Sequence, residues 1–224
     1  MAKERDTILT PHQRRVLELV AREDYFTKRF YFTGGTALSE FYLHHRLSED
    51  LDFFSERQEV NRFAITRFIE LHAKKLGVEK FDTRNVFGLW TFFLTFSDGE
   101  TLKVDFNFYP FPRIEKGTRL GRLVIDSMYD IAVNKVHTIA LKPRARDFMD
   151  IYFLVKQEGY DFHDLLLQAK AKFDWDITAM QLGTHLLEAS ETTDYPRMLK
   201  PIDHKEWKQF FVQEAKKLKG SIFK

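Results

Sequence analysis

The stretch that decides the fold is residues 31–55, YFTGGTALSEFYLHHRLSEDLDFFS. It predicts a strand that ends at Gly34-Gly35, a short helix, a basic link, and a second strand that carries Asp50 and Asp52. The two carboxylates are two positions apart, so in a strand they leave the same face. A glycine turn and a carboxylate pair beside buried strands predict a site that binds phosphate groups and divalent ions.

Other elements of the N-terminal half follow from local signals. A helix is predicted over residues 62–76, because Asn61 can cap its start and Gly77 can end it. The strands 89–96 and 101–109 flank an Asp-Gly turn and predict a β-hairpin. These patterns favour an α/β arrangement for the first half of the chain.

Helical periodicity dominates the C-terminal half. It covers residues 127–141, 144–157, 162–173, 177–190 and 205–219. We therefore predict the α/β (α+β) class, with a small mixed-sheet core in residues 1–125 and a helical bundle in residues 126–224 packed on that core.

The composition excludes several kinds of protein. The 224 residues include no Cys, which excludes disulfides, thiolate zinc sites and a cysteine nucleophile. No apolar run reaches the roughly 18 residues of a membrane span, and the start of the sequence lacks the apolar segment of a secretory signal. We expect a cytoplasmic protein. The net charge of +2 permits a nucleic-acid partner without requiring one.

Asp50 and Asp52 are the first candidate metal ligands. In a strand their side chains lie about 6.6 Å apart along one face, and their oxygens can converge on two ions about 4 Å apart. Hard oxygen ligands favour Mg²⁺. The flanking Leu51 and Phe53 indicate a buried strand, in which an acid needs a partner or a metal. The alternative is an ordinary surface Asp-x-Asp pair.

Asp105 is the candidate third ligand. It lies in the second hairpin strand on a polar face that also carries Lys103 and Asn107. A two-ion site requires a further carboxylate on a neighbouring strand, and this strand can supply it. The alternative is an ordinary solvated sheet face.

Phosphate binding is predicted around the glycines. Gly34 and Gly35 allow the backbone to approach an anion closely, and Thr36 follows at the expected helix start. Arg46 and Ser48 precede the acids and can bind phosphate oxygens by charge and by a hydroxyl. A plain turn and loop polarity are the alternatives.

Taken together, these residues resemble the polymerase β type of nucleotidyltransferase, and more closely the AbiEii/AbiGii toxin family. The resemblance is carried by GGTAL at 34–38, HRLSEDLDFF at 45–54, Lys135, and RDFMDIY at 146–152. It spans residues 31–154, more than half of the chain.

The resemblance implies a metal-dependent transfer of a nucleoside monophosphate from a nucleoside triphosphate to an acceptor hydroxyl, with release of pyrophosphate. Members of the family act as toxins in toxin–antitoxin or abortive-infection systems, and some modify the 3′ end of tRNA. The implied partners are therefore a nucleoside triphosphate, tRNA and an antitoxin. The implied cofactor is Mg²⁺, as two ions, with Mn²⁺ as the alternative.

The resemblance also assigns roles at matching positions. Asp50, Asp52 and Asp105 would hold the metals, Asp105 would help to activate the acceptor, Gly34, Gly35 and Thr36 would cradle the triphosphate, and Lys135 would contact its phosphates. Many members have Ser at the second motif position, where this chain has Gly35, so the Thr36 hydroxyl is expected to substitute.

A second group is assigned on the later motif. Asp147 or Asp150 would lie near the active site, with Arg146 as an accessory residue, whereas an ion pair between Arg146 and Asp150 within one helix is the alternative.

Two other interpretations of function stay open. The acceptor could be a protein or a small molecule, or the chain could be a catalytically idle module that binds a partner. Late lysines could follow a tRNA backbone or simply form the solvated face of a terminal helix. They are Lys205, Lys208, Lys216, Lys217, Lys219 and Lys224.

Overall fold

Alternating apolar strands between residues 31 and 125 assemble into one mixed β-sheet. A computed structural model describes residues 7–218 of the chain. By its contacts the chain divides into two compact units, one ending at Ser127 and the other beginning at Met128. Lys219 and Lys224 lie outside the described residues.

The sheet belongs to the first unit. The helices described there are α1 (Pro11–Val20), α2 (Asp24–Thr27), α3 (Gly34–Leu38), which continues into a π-helical segment (Ser39–Leu43), and α4 (Arg62–Leu76). The strands are β1 (Tyr31–Thr33), β2 (Leu51–Ser55), β3 (Val78–Val86), β4 (Leu89–Phe96), β5 (Thr101–Phe108), β6 (Arg119–Leu120) and β7 (Leu123–Ile125).

The strand order is β3-β4-β5-β2-β1-β7-β6. Strand β2 runs parallel to β5 and antiparallel to β1, while β1 runs parallel to β7. The predicted hairpin is β4–β5, and the mixed sheet confirms the expected fold class. Because β2 lies between β1 and β5, the glycine motif after β1 and the acids of β2 and β5 share the middle of the sheet.

Capping signals act as the sequence indicates. The Asn61 side chain accepts a hydrogen bond from the Ala64 amide at the start of α4, and Gly77 ends that helix in the left-handed conformation. Helix α4 therefore has the bounds that the sequence predicts.

Several details differ from the prediction. Helix α3 begins at Gly34 rather than at Thr36, so both glycines belong to its first turn. Strand β2 begins at Leu51, which leaves Asp50 one residue before the strand. Strand β3 was not predicted, because it is the edge strand of the sheet and exposes polar residues on both faces.

The many phenylalanines fill the core on one face of this sheet. Phe53 of β2 and Phe106 of β5 stack with ring centroids 5.1 Å apart, and Phe26 of α2 lies 5.5 Å from Phe106. Phe68 of α4 packs edge-on against Phe26. Each buried Phe contributes about 1.5–3 kcal/mol of transfer free energy. The apolar residues thus cover this face, and the opposite face carries the polar groups.

The second unit is helical. Its described helices are α5 (Met128–Leu141), α6 (Ala145–Gln157), α7 (Phe162–Phe173), α8 (Ala179–Leu187) with a 3₁₀ turn (Glu188–Ser190), and α9 (His204–Lys217). Phe148 of α6 packs against Trp207 and Phe211 of α9, and all three are buried. None of the helices within residues 7–218 has the length and apolar character to cross a membrane.

Candidate active site

Strand register places the predicted acids side by side. Asp52 of β2 lies opposite Asp105 of β5 in the parallel pair, and Thr33 of β1 lies opposite Asp52. On the other side Thr91 of β4 lies opposite Asp105. Residues that are directly opposite on adjacent strands face the same side of a sheet. These four side chains therefore form a row across the polar face.

Asp105 is the fixed end of this carboxylate group. Its side chain is only 7% exposed, and its Oδ1 accepts a hydrogen bond of 2.6 Å from the Thr91 hydroxyl. Its Oδ2 accepts a hydrogen bond of 2.5 Å from the Lys103 ammonium. Both oxygens are thus oriented by neighbours in the sheet, and this carboxylate is held in one position.

Lys103 joins Asp105 to Asp50. Its Nζ lies 3.3 Å from Asp50 Oδ2, in addition to its short contact with Asp105. Burial alone would lower the pKa of Lys103, but the hydrogen bond to Asp105 and the charges of Asp105, Asp50 and Asp52 outweigh it and raise that pKa. The acids therefore surround a lysine that stays protonated at neutral pH.

Gly34 brings the start of α3 against Asp52. Its φ is +78°, a conformation that residues with a Cβ rarely adopt, and a Cβ at this position would overlap the Asp52 carboxylate. Only glycine allows the backbone to come so close to the acid.

Gly35, the second glycine of the motif, lies against Arg46 and Ser48. A Cβ there would overlap the Arg46 guanidinium and would lie 3.0 Å from Ser48 Oγ. Arg46 is 2% exposed, and its guanidinium donates to the Leu47 carbonyl. The predicted arginine and serine therefore lie at the second glycine, and a hydroxyl stands beside this position although glycine occupies it.

Thr36 has a different task from the one expected for its hydroxyl. The residue is fully buried, and its Oγ1 donates a hydrogen bond of 2.5 Å to the Asp50 carbonyl. This contact directs the hydroxyl at the backbone, whereas the sequence led us to expect it in place of the motif serine. Thr36 ties α3 to the residue that precedes β2.

The later motif forms a second charged group inside the helical unit. Lys135 of α5 lies 2.9 Å from Asp147 and 2.6 Å from Asp150, both on α6. All three residues are buried. The structure thus brings together the lysine and both aspartates of the later motif.

Arg144 completes this second group and was missed from the sequence. Its Nε donates to Asp147 at 2.8 Å. Burial would raise the pKa of Asp147, but the Lys135 and Arg144 charges outweigh it and hold that pKa below its ordinary value. The i, i+3 spacing of Arg144 and Asp147 was the available signal.

A third group contains the ligand types of a metal site. His12, Asp98 and Glu100 place one ligand atom each within 4.8 Å of one another. However, Arg15 contacts His12 Nδ1 at 2.7 Å, and arginine can only donate. The proton of a neutral imidazole then lies on Nε2 and faces Asp98. This tautomer gives a metal no free lone pair on the ring, so the arrangement is a hydrogen-bonded histidine.

Comparisons with known proteins agree with this fold. A protein of Aquifex aeolicus without an assigned function is 32% identical over 169 residues, covering 74% of this chain and 76% of its own. The crystal structure of JHP933 from Helicobacter pylori superposes with a TM-score of 0.57 at 17% identity, covering 94% of this chain and 90% of that chain. A candidate nucleotidyltransferase of the same organism gives a TM-score of 0.59 at 17% identity, covering 95% and 97%. At these identities the two structures show the fold alone.

The family comparison covers most of the sequence. The model described as nucleotidyl transferase AbiEii toxin, type IV TA system, matches residues 15–216 and so includes the glycine motif, the acids and the later motif. With the sheet, the paired acids and this match, the chain belongs to the AbiEii family of nucleotidyltransferase toxins of type IV toxin–antitoxin systems.

Proposed function

We propose that this nucleotidyltransferase transfers a nucleoside monophosphate from a nucleoside triphosphate to an acceptor hydroxyl. The transfer would take place at a site formed by Asp50, Asp52 and Asp105. The observation that carries the proposal is the strand register that sets Asp52 beside Asp105. The Lys103 ammonium joins Asp105 to Asp50, which brings the third acid to the same place. Such a carboxylate group on a polar sheet face has no role in the core, which lies on the opposite face.

The donor set fits divalent ions. All three groups offer carboxylate oxygens, which Mg²⁺ prefers, and the Lys103 ammonium shows that a cation is stabilised among them. Asp50, Asp52 and Asp105 would hold two Mg²⁺ ions, with Mn²⁺ as a substitute. Bound there, the ions neutralise phosphate charge and lower the pKa of the attacking hydroxyl.

The glycine motif is proposed to bind the triphosphate. Gly34 and Gly35 open the first turn of α3, whose backbone amides lack partners within the helix. Arg46 and Ser48 add a guanidinium and a hydroxyl at Gly35. The side chain of Thr36 supports this motif by fixing Asp50, while its backbone amide stays within the proposed cradle.

The remaining chemistry is positioning of the reactants. The acceptor hydroxyl would attack the α-phosphorus in line with the departing pyrophosphate. Asp105, fixed by Thr91, would orient this hydroxyl and help to remove its proton. The rate then depends on how closely the acids hold the reacting oxygens in place.

We also propose that Lys135 contacts the phosphates and that Asp147 and Asp150 are accessory groups. These three buried residues form one charge group with the partly exposed Arg144, which pairs with Asp147. The role proposed for Arg146 is accessory as well. Any test of this group must separate activity from folding.

The 3′ end of tRNA is the acceptor that we propose. The family is the main support for it, and the net charge of +2 adds little. Of the late lysines, Lys208 donates to the Ser190 and Thr192 carbonyls, and Lys217 pairs with Glu214. These contacts favour a structural role for both side chains over binding of an RNA backbone. A cognate antitoxin is the proposed protein partner, and a protein or small-molecule acceptor is the alternative.

Transfer of label from α-³²P nucleotides tests the proposed chemistry. Asp52→Asn keeps the shape of the side chain and should reduce transfer by about 10³-fold, because it removes a carboxylate charge that would hold the ions facing the phosphates. Asp82→Asn is the matched control, since Asp82 is exposed on β3. Wild-type transfer by Asp52→Asn would contradict the assignment of the acids.

Fractionation of the labelled product tests the acceptor. Each of the four nucleoside triphosphates is incubated with total tRNA or with cell lysate. Label that RNase removes and protease leaves supports tRNA. RNase-resistant label would contradict the tRNA proposal and favour a protein or small-molecule acceptor.

A further inference from the structure

Lys103 contacts two of the three carboxylates that are proposed to hold metal ions. Its ammonium lies 2.5 Å from Asp105 Oδ2 and 3.3 Å from Asp50 Oδ2, so it bridges two of the three proposed metal ligands. An ion held by the same two oxygens would lie within a few ångströms of the ammonium, and like charges at that separation repel strongly. The lysine and a divalent ion therefore compete for one place.

The sequence gives the lysine this position through strand geometry. Lys103 and Asp105 are two residues apart in β5, so both side chains leave the polar face. Phe93 of β4 lies opposite Lys103 in the antiparallel pair. Strand β5 therefore supplies both Asp105 and the lysine that contacts it.

A cation at this place solves a problem that the acids create. Asp50, Asp52 and Asp105 converge, and without a counter-charge their repulsion would oppose the packing of β2 against β5. The field of all three acids acts on Lys103. Lys103 thus supplies the counter-charge that the three acids need.

The same lysine can leave. Its side chain is 34% exposed, and its long flexible stem gives the ammonium a path to solvent. Asp105 would remain oriented, because the Thr91 hydroxyl still binds its other oxygen.

Resting on the proposed function, we propose that Lys103 is a resident counter-ion of the carboxylate group, which a divalent ion displaces from Asp105 and Asp50 when the site is loaded. The lysine thereby stabilises the metal-free protein and weakens its affinity for the ion. Loading of the site is an exchange of cations rather than the filling of a vacant place.

Mn²⁺ binding to the nucleotide-free protein tests the exchange. Lys103→Met keeps the stem and removes the charge, so Mn²⁺ affinity by titration calorimetry at low salt should rise by at least about tenfold. Lys80→Met is the matched control, because it removes the same charge from the same sheet face at exposed β3 and should leave Mn²⁺ affinity unchanged. Equal or weaker Mn²⁺ affinity in Lys103→Met would overturn the proposal.

Amine labelling of the wild-type protein gives a second test that does not depend on a variant folding. Lys103 should react slowly with an acylating reagent without metal, and several-fold faster with saturating Mn²⁺, as mapped by mass spectrometry. Lys80 should react equally in both conditions. Labelling of Lys103 that Mn²⁺ does not change would also overturn the exchange.

Asp52→Asn separates this inference from the proposed function. If it fails to reduce Mn²⁺ binding in both the wild-type and the Lys103→Met backgrounds, the metal assignment itself is wrong. If Mn²⁺ binding depends on Asp52 while Lys103→Met binds no more tightly than wild type, only the role of Lys103 is wrong.

Discussion

Gly34 meets two constraints at one residue. Its φ of +78° disfavours any side chain, and its position leaves no room for a Cβ beside Asp52. Gly77 has nearly the same φ, +77°, but a Cβ there would meet nothing within 4 Å. A comparison of Gly34 with Gly77 therefore separates the effect of the left-handed backbone from the effect of the close approach to Asp52.

Gly34→Ala should lower transfer strongly, whereas Gly77→Ala should keep it. Both variants carry a left-handed backbone cost of about 1–2 kcal/mol, which chemical unfolding would measure, but only Gly34→Ala displaces Asp52. Equal transfer by the two variants would contradict the contact as a determinant of activity.

Thr36→Val tests whether the threonine is a support or a phosphate ligand. The change removes a buried hydroxyl and leaves the Asp50 carbonyl without its donor, so stability should fall by about 1–3 kcal/mol. Thr184→Val is the control, because Thr184 donates to a carbonyl from an exposed helical position.

Unfolding in denaturant measures the loss of stability, and nucleotide titration measures affinity. An unchanged free energy of unfolding with weaker nucleotide binding would reverse the assignment and make the Thr36 hydroxyl a ligand.

The acids were predictable from sequence because their evidence is local. Asp50 and Asp52 share a short stretch with apolar neighbours, and Asp105 lies on a regular polar face. The position of Lys103 among them was not predictable, because it depends on the pairing of β2 with β5. Two-residue spacing shows which face Lys103 shares, but not which acids lie across the strand.

Secondary structure shows the same limit at the level of elements. Helix α4 and the β4–β5 hairpin follow from caps, a turn and alternation within a few residues. Strand β3 has no such signal, since an edge strand with two solvated faces lacks an apolar period. Its nine residues pair with β4, and this pairing is a tertiary contact that no local sequence signal reports.

A buried lysine of α5 joins that helix to α6. Lys135→Met would leave Asp147 and Asp150 buried without their common partner, which should cost about 3–5 kcal/mol of stability. Lys28→Met, which breaks a pair with Asp24 that is exposed on both sides, should change stability much less.

Thermal and chemical unfolding measure both changes. If Lys135→Met retains wild-type stability and loses transfer, the lysine acts on the substrate rather than on the helices. Equal stability losses in the two variants would contradict the importance of burial.

Acid should weaken the helical unit through Asp147. Its pKa is lowered in the folded protein, so its contribution to stability is present above the ordinary value of 3.8 and is lost as pH falls through the lowered value. Helical circular dichroism in mild denaturant should therefore decline below about pH 4.

Asp147→Asn should flatten this decline, because the group that gains the proton is gone. Asp174→Asn, at the exposed end of α7, should leave it unchanged. Identical acid profiles for wild type and Asp147→Asn would show that other groups control the decline.

For the whole molecule, removal of metal should separate activity from structure. Excess EDTA should abolish transfer, because the acids then hold no divalent ion. The far-ultraviolet circular dichroism should persist, since each unit has its own apolar core and Lys103 remains among the acids. Restored transfer on addition of Mg²⁺ completes the test, and transfer that survives chelation would contradict metal dependence.

The parallel pairing of β2 with β5 has a consequence for when the proposed site can form during synthesis. The pairing joins Leu51 to Val104, about fifty residues later in the chain, and it alone sets Asp52 beside Asp105. A slip of one residue would turn Asp52 towards the phenylalanines and Phe53 towards water. On a translating ribosome, the glycine motif and first two acids emerge well before β5. The proposed site is therefore complete only after this late strand docks in register with β2.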